Sequence, residues 1–151
     1  MYLTHTRPDL AYVISAVEIY RNQTHEIHWN TTKIILQYVQ GTRNFGVHYA
    51  ASSPLELVGF SDSDWDGDPN ERNSISGFVF MFYNGPMFWS SKKQHTISLS
   101  SAEPEYRGAV NTATECVLLQ GILREDVVAL DSPTIIWCDN ESGINISIDL
   151  V

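Results

Sequence analysis

An apolar stretch that runs directly into alternating acidic residues constrains this chain more than any other feature. Residues 58–61 are typical of a β-strand, and Asp62, Asp64, Asp66 and Asp68 follow at every second position. A nuclease strand ends in this way and needs further carboxylates from distant segments, whereas a calcium loop supplies nearly all of its ligands locally. The rest of the sequence distinguishes these two interpretations.

The calcium interpretation fits the local spacing only in part. The first acidic positions match an EF-hand loop, but Asn73 occupies the position at which such a loop has a bidentate Glu. A strand precedes the acidic residues, where an EF-hand has a helix. We therefore interpret the acidic residues after Asp62 mainly as a solvated turn.

Composition limits the class of protein. The chain has 151 residues, is 43% hydrophobic and can bury a core, but its formal charge of -9 argues against an autonomous nucleic-acid binder. No apolar run is long enough to span a membrane and no signal peptide is evident, so we expect an intracellular location. Cys116 and Cys138 have no CxxC partner and are expected to be buried thiols.

The first third of the chain has helical periodicity. Pro8 lies in the first turn of a predicted helix that reaches about Tyr20, and Thr24 is the predicted cap of a second helix that ends at Gly41. The two helices should form a hairpin. Residues 45–49 are a predicted short strand.

A linker near Pro54 predicts a boundary between a first unit, residues 1–54, and a second unit, residues 55–151. In the second unit the periodicity changes to that of strands, and Asn84-Gly85 indicates a hairpin. The predicted order is strands at residues 55–61, 77–83 and 86–91, a helix from a capping box at residues 100–103 to about Leu123, a strand at residues 134–138 covered on both faces, and a helix from Asp139.

Three acidic residues occupy comparable places in this order. Asp62 ends the first strand of the unit, Glu105 lies in the first turn of a helix, and Asp139 follows an apolar strand. Carboxylates gathered at strand ends repel one another unless a cation neutralises them. Oxygen ligands suit Mg²⁺ or Mn²⁺, and two such ions about 4 Å apart can support hydrolysis of a phosphodiester.

Several motifs occur in one order: Gly59-Phe-Ser-Asp-Ser-Asp-Trp65, Ser74-Ile-Ser-Gly-Phe78, Trp89-Ser-Ser-Lys-Lys-Gln94, Leu99-Ser-Ser-Ala-Glu-Pro-Glu-Tyr-Arg107 and Cys138-Asp-Asn140. Together they resemble the ribonuclease H region of copia-type retrotransposon Pol polyproteins. The helical leader, with Tyr2-Leu-Thr-His-Thr-Arg-Pro-Asp9, resembles the segment that connects reverse transcriptase to ribonuclease H. The resemblance covers essentially the whole chain.

The resemblance implies an α/β fold of ribonuclease H type. Its mixed sheet has three antiparallel strands and then a parallel strand, with helices packed on the sheet, and a helical hairpin precedes it. It implies a metal-dependent endonuclease that hydrolyses the RNA strand of RNA/DNA hybrids, with a two-ion Mg²⁺ or Mn²⁺ site held by Asp62, Glu105 and Asp139. Glu105 matches the metal ligand because it directly precedes Tyr-Arg, whereas Glu103 suits helix capping.

The resemblance also implies partners and a compartment. The partners are the hybrid, the reverse transcriptase and the other Pol domains, with no membrane, and the location is a cytoplasmic particle or the nucleus. The family's fourth carboxylate has no counterpart before Val151. We therefore expect an incomplete ribonuclease H domain that is weak or inactive alone. The alternative is a catalytically silent, domesticated or decayed fragment that acts as an interaction domain.

Three basic residues are candidates for nucleic-acid contact. Lys92 and Lys93 can contact phosphates or serve as protective charges on an edge strand, and the two roles are compatible. Arg107 can pair with a phosphate or with a neighbouring acidic residue.

Overall fold

A computed structural model describes residues 2–50, 55–64, 74–94, 102–125, 133–139 and 144. They form a mixed α/β structure in which a four-stranded sheet carries a long helix, and a helical region precedes the sheet. This architecture confirms the predicted fold class. The boundary predicted near Pro54, the acidic turn after Asp64 and most of the final predicted helix lie outside the described residues.

The sheet has the order β3-β2-β1-β4. Its strands are β1 (Leu57–Asp64), β2 (Ile75–Phe82), β3 (Gly85–Lys93) and β4 (Ile135–Cys138). Strands β1, β2 and β3 pair antiparallel in sequence order, whereas β4 pairs parallel with β1. The parallel strand requires a long crossover, which includes the helix between β3 and β4.

The helix α4 (Ala102–Glu125) covers one face of the sheet. Alternate residues of the strands point toward it, so that Leu57 of β1 and Phe78 and Phe80 of β2 form a core with Cys116 of α4. Half-buried apolar residues surround this core, namely Met87, Leu119, Leu123 and Ile136. Among the helices of the described residues, none combines the length and the hydropathy needed to cross a membrane.

The prediction that β4 is covered on both faces is wrong. Ile135 is 57% exposed and Trp137 is 59% exposed, while Ile136 between them packs against the core. Phe60, the neighbour of Trp137 on β1, is exposed as well. The reason is that α4 packs against the opposite face, so the apolar run of β4 is buried only at alternate positions among the described residues.

The predicted hairpin is confirmed, but its turn lies one residue earlier than the Asn84-Gly85 pair suggests. Phe82 pairs with Gly85, and the two residues between them, Tyr83 and Asn84, have φ angles of 51° and 58°. Positive φ at both central positions defines a type I′ turn. Asn tolerates this conformation well, whereas Tyr adopts it at a steric cost.

Gly85 is required for a different reason. Residues 48 and 49, in the segment that precedes the sheet, pack against it. A Cβ atom at position 85 would lie 2.8 Å from the carbonyl oxygen of His48 and 2.6 Å from the ring of Tyr49. The hydroxyl of Tyr49 donates a hydrogen bond to the carbonyl of Pro86 at 2.8 Å, and the amide of Ala50 donates to Tyr83 at 3.1 Å. The turn between β2 and β3 and residues 48–50 therefore stabilise each other.

The helical region is more divided than predicted. It consists of α1 (Tyr2–Thr6), a 3-10 turn (Pro8–Leu10), α2 (Ala11–Glu18), a second 3-10 turn (Ile19–Asn22) and α3 (Glu26–Gly41). The cap of α3 is His25 and not Thr24, because the His25 amide donates to Nδ1 of His28 while the Thr24 hydroxyl donates back to the carbonyl of Tyr20.

The short strand predicted at residues 45–49 is wrong, since residues 45–50 are irregular. A strand needs a neighbour with free backbone groups, and α2 lies along β3, the strand at that edge of the sheet. The Ser15 hydroxyl donates to the carbonyl of Ser91 at 2.5 Å, and the Trp89 indole donates to the carbonyl of Thr4 at 2.7 Å. The helical region is thereby attached to the sheet.

Arg7 joins the two ends of the helical region. Its guanidinium makes two hydrogen bonds to Asp9, at 2.7 and 3.0 Å, and donates to the carbonyl and the hydroxyl of Thr42. Tyr38 donates to Asp9 at 2.9 Å, and its ring lies 5.5 Å below the guanidinium carbon. Since Tyr20 stacks on His28 near the other end, α2 and α3 run antiparallel. The pattern predicted such a hairpin.

We predict that Gly85→Ala lowers the free energy of unfolding by about 1–3 kcal/mol, because the new methyl group collides with the His48 carbonyl and the Tyr49 ring. Gly121→Ala is the matched control, since nothing lies within 4 Å of a Cβ atom there, and alanine in a helix should add about 0.5–1 kcal/mol. Urea unfolding measures both. Equal effects would contradict the described packing of residues 48 and 49 on the turn.

A second prediction concerns the stability of the protein at low pH. The hydrogen bonds from Arg7 hold the pKa of Asp9 below its ordinary value of 3.8. Because the pKa is lower in the folded state, the stabilisation is complete above the ordinary value and is lost as the pH falls through the lowered value. Asp9→Asn should therefore destabilise the protein by a constant amount above about pH 5, and this difference should shrink in acid. Urea unfolding across pH tests this, and a pH-independent difference would contradict it.

Candidate metal centre

The parallel pairing of β1 and β4 brings two predicted carboxylates to one end of the sheet. Ser61 of β1 is in register with Cys138 of β4, and Asp62 and Asp139 are the next residues on each chain. Neighbouring strands lie about 4.8 Å apart. The backbones that carry Asp62 and Asp139 are therefore adjacent, although the two residues are far apart in sequence.

Small residues set the position of α4 over this end of the sheet. Gly108 of α4 lies directly against the Ser63 hydroxyl, which occupies the place that a Cβ atom at position 108 would need. Four residues later the fully buried Thr112 hydroxyl is hydrogen-bonded to the Ser61 hydroxyl at 3.0 Å and to the Gly108 carbonyl at 2.8 Å. This close approach directs the first turn of α4, which includes Glu105, to the end of β1.

Three potential ligand atoms converge at this place. A carboxylate oxygen of Glu105, the sulfur of Cys138 and a carboxylate oxygen of Asp139 all lie within 4.8 Å of one another. Glu105 and Cys138 are half-buried, whereas Asp139 is exposed. Two carboxylates so close together are a suitable donor set for Mg²⁺ or Mn²⁺, which prefer oxygen ligands, while the thiol is a softer ligand.

Asp62 does not belong to this cluster of mutually close ligand atoms among the described residues. The alternation of side chains along β1 explains why: Ser61 and Ser63 point toward α4, so the exposed Asp62 between them points away from it. The structure thus brings Glu105 and Asp139 together and places Asp62 beside them on the neighbouring strand.

Sequence reasoning missed Cys138 as a member of the cluster. Both cysteines were expected to be buried thiols, and this is true of Cys116, which is 5% exposed in the core. Cys138 is only half-buried, and its sulfur lies beside the carboxylates of Glu105 and Asp139. The available signal was its position as the last strand residue before a predicted ligand.

The three predicted basic residues line a single groove. Lys92, Lys93 and Arg107 border a cavity of about 350 Å³ between strands β2 and β3 and helix α4, together with Gln94 and Asn111. Lys92 and Lys93 lie on β3, which is at the edge of the sheet as predicted. Glu115 also lines the groove, so three basic residues and one acidic residue leave it with local positive charge in a chain that is acidic overall.

Arg107 has an acidic partner in the structure. Its guanidinium donates to a carboxylate oxygen of Glu103 at 2.7 Å, one helical turn earlier, and both side chains are more than one third exposed. An exposed pair of this kind contributes little stability, so a phosphate can compete for the guanidinium. Glu103 was predicted to cap α4, but residues 100 and 101 of that capping box lie outside the described residues.

The chain resembles known Pol polyproteins of transposons. It is 37% identical over 139 residues to the retrovirus-related Pol polyprotein from transposon RE2 of Arabidopsis thaliana, and the match covers 92% of this chain. It is 34% identical over 142 residues to the corresponding polyprotein from transposon TNT 1-94 of Nicotiana tabacum, which covers 94% of the chain. In both cases the chain spans about a tenth of the relative's length.

A much shorter relative is also similar. The secreted RxLR effector protein 161 of Plasmopara viticola is 39% identical over 120 residues, which amount to 79% of this chain and 84% of that protein. No protein-family model matches the chain, and no solved structure matches it.

We predict that Thr112→Val lowers the free energy of unfolding by about 1–3 kcal/mol, because the isosteric side chain leaves the buried Ser61 hydroxyl without this hydrogen bond. Thr114→Val is the matched control: Thr114 is exposed on the same helix and its hydroxyl bonds to the Val110 carbonyl, so little change is expected. Thermal and urea unfolding report both. A loss as large in the control would contradict the assigned role of Thr112.

Proposed function

Because this chain belongs to the family formed by one segment of the copia-type transposon Pol polyproteins, we propose that it is a ribonuclease H-type module that hydrolyses the RNA strand of RNA/DNA hybrids. The observation that carries the proposal is the convergence of Glu105 and Asp139, from distant parts of the chain, at the end of the strand that holds Asp62. Three antiparallel strands followed by a parallel one, the order that the resemblance implied, position these residues.

The proposed cofactor is Mg²⁺ or Mn²⁺ in a two-ion site. Asp62, Glu105 and Asp139 would hold the ions, which when bound would activate water and stabilise the leaving oxygen of the phosphodiester. The carboxylates of Glu105 and Asp139 lie close together where the end of β4 meets the first turn of α4, and β1, the neighbouring strand, carries Asp62. The half-buried thiol of Cys138 lies beside the carboxylates of Glu105 and Asp139.

The groove supports binding of a nucleic-acid backbone. Lys92, Lys93 and Arg107 are the cations that line it, and phosphate contacts of this kind position a duplex without reading its sequence. A hybrid is recognised by its shape and by its 2′-hydroxyls, so the polar side chain of Asn111 in the same groove suits this ligand.

The proposed partners include the reverse transcriptase and the other domains of a Pol polyprotein. Helix α3 supports this part of the proposal, since Ile27, Ile34 and Leu36 are each more than half exposed. Large apolar side chains that share one exposed helix are typical of surfaces that contact another domain. The proposed site of action is inside the cell, in a cytoplasmic particle or in the nucleus, as the family resemblance implies.

The alternative is a catalytically silent segment that acts as an interaction domain. The observation behind this alternative is the similarity to the secreted effector protein, which is 39% identical over 120 residues. The two candidates differ in one respect that can be measured, which is metal-dependent cleavage.

The deciding experiment measures cleavage of a labelled RNA/DNA hybrid with Mg²⁺ or Mn²⁺. We expect slow cleavage of the RNA strand by the wild type, and Glu105→Gln, Asp139→Asn and Asp62→Asn should each reduce it by about a hundredfold or more, because each removes a proposed metal ligand. Glu125→Gln, an exposed glutamate at the other end of α4, is the matched control and should retain the activity of the wild type.

Two results would count against the nuclease. Cleavage that survives Glu105→Gln and Asp139→Asn would come from a different site or from a contaminant. A folded wild type that leaves the hybrid intact with both metals would favour the silent interaction domain.

A further inference from the structure

Gln94 connects three elements that meet beside the candidate metal centre. It directly follows β3, and its side-chain amide nitrogen donates to the hydroxyl of Ser76 on β2 and, at 3.0 Å, to the carbonyl of Pro104 in the first turn of α4. A carbonyl only accepts hydrogen bonds, so the amide nitrogen must face Pro104. Both hydrogens of the nitrogen are thereby used.

The network continues to β1. The Ser63 hydroxyl donates to the Ser76 hydroxyl at 3.0 Å, so that the Ser76 oxygen accepts hydrogen bonds from both Ser63 and Gln94. The main-chain amide of Gln94 donates to the carbonyl of Ser74 at 2.7 Å, which fixes the residue at the start of β2 as well. One side chain thus links the ends of three strands to a helix.

Each end of this network lies next to a proposed metal ligand. Ser63 directly follows Asp62 on β1, and Pro104, which is fully buried, directly precedes Glu105 on α4. A shift of the first turn of α4 relative to the sheet would change the distance between the carboxylates of Glu105 and Asp139, which lie in one cluster. Metal ligands need to be held within about 0.5 Å of their productive positions.

We propose that Gln94 is a positioning residue for the metal centre, which holds the helix turn that carries Glu105 against the end of the sheet. The inference rests on the proposed function, because it assigns Gln94 a role in that same site. Gln94 touches neither carboxylate in the described contacts and acts through Ser76, Ser63 and Pro104.

The chain offers a matched control at the other end of the same helix. The Gln120 side chain of α4 donates a hydrogen bond to the Thr134 hydroxyl at 2.9 Å, just before β4 begins. Gln120 and Gln94 are both half-buried, and each ties α4 to the sheet through its amide nitrogen. Only Gln94 does so beside the carboxylates.

The test compares Gln94→Met with Gln120→Met in the full chain, by titrating Mn²⁺ calorimetrically and by measuring thermal unfolding. Methionine keeps the length of the side chain and removes its donors. We expect the dissociation constant for Mn²⁺ to rise roughly tenfold in Gln94→Met, as is typical when a group that orients a metal ligand is lost. In Gln120→Met it should stay close to that of the wild type, even though the melting temperature falls.

Ser76→Ala tests the same network if Gln94→Met fails to fold, because it removes the shared acceptor and leaves the bond from Gln94 to Pro104; a smaller weakening of Mn²⁺ binding is expected. Unchanged Mn²⁺ affinity in folded Gln94→Met or Ser76→Ala would overturn the positioning role and leave the nuclease proposal intact. A wild type that binds no Mn²⁺ would overturn the nuclease proposal, and the role of Gln94 with it.

Discussion

The close approach of α4 to β1 is the contact on which the rest of the structure depends. It is made by residues without bulky side chains: Gly108 lies against Ser63, and Thr112 bonds to Ser61. These small residues let the helix axis come near the central strand, and the hydroxyls satisfy one another in a place that excludes water. A Cβ atom at position 108 would force the Ser63 hydroxyl out of its place, and with it the hydrogen bond to Ser76.

The apolar part of the same helix then completes the core. Cys116 is buried against Leu57, Phe78 and Phe80, so the end of α4 with the small residues faces the carboxylates and the remainder covers the aromatic side chains of β2. The candidate metal ligand Glu105 and the core residue Cys116 therefore lie on different parts of one helix. This arrangement explains how the polar side chains near the carboxylates can lie next to the apolar core on the same face of a four-stranded sheet.

Much of the fold was predictable because its signals are local. The alternation of β1 and β2, the turn residues between β2 and β3 and the helical period of α4 follow from neighbouring residues, and all four strands were placed near their observed positions. The order of motifs identified Glu105 and Asp139 as candidates, and the structure brings them together with Cys138. Lys92, Lys93 and Arg107 were chosen separately, and they line one groove.

The features that were not predictable depend on tertiary contacts. The Arg7-Pro-Asp9 sequence looked like a simple helix start. Arg7 is nevertheless buried, because its guanidinium donates to Thr42 and lies over the ring of Tyr38, both more than thirty residues away. His25 replaces Thr24 as a cap through a side chain three residues further on. The exposure of one face of β4 depends on which face α4 covers. The residues of β4 alone do not determine this.

The parallel pairing of β1 with β4 has a consequence for the order of folding. The β1–β2–β3 meander joins segments that are near in sequence, whereas the pairing of Ser61 with Cys138 closes a loop that contains two strands and α4. Such long loops close late because their entropy cost comes before any contact is gained. We therefore expect the backbones that carry Asp62 and Asp139 to come together late in folding, after the meander has formed.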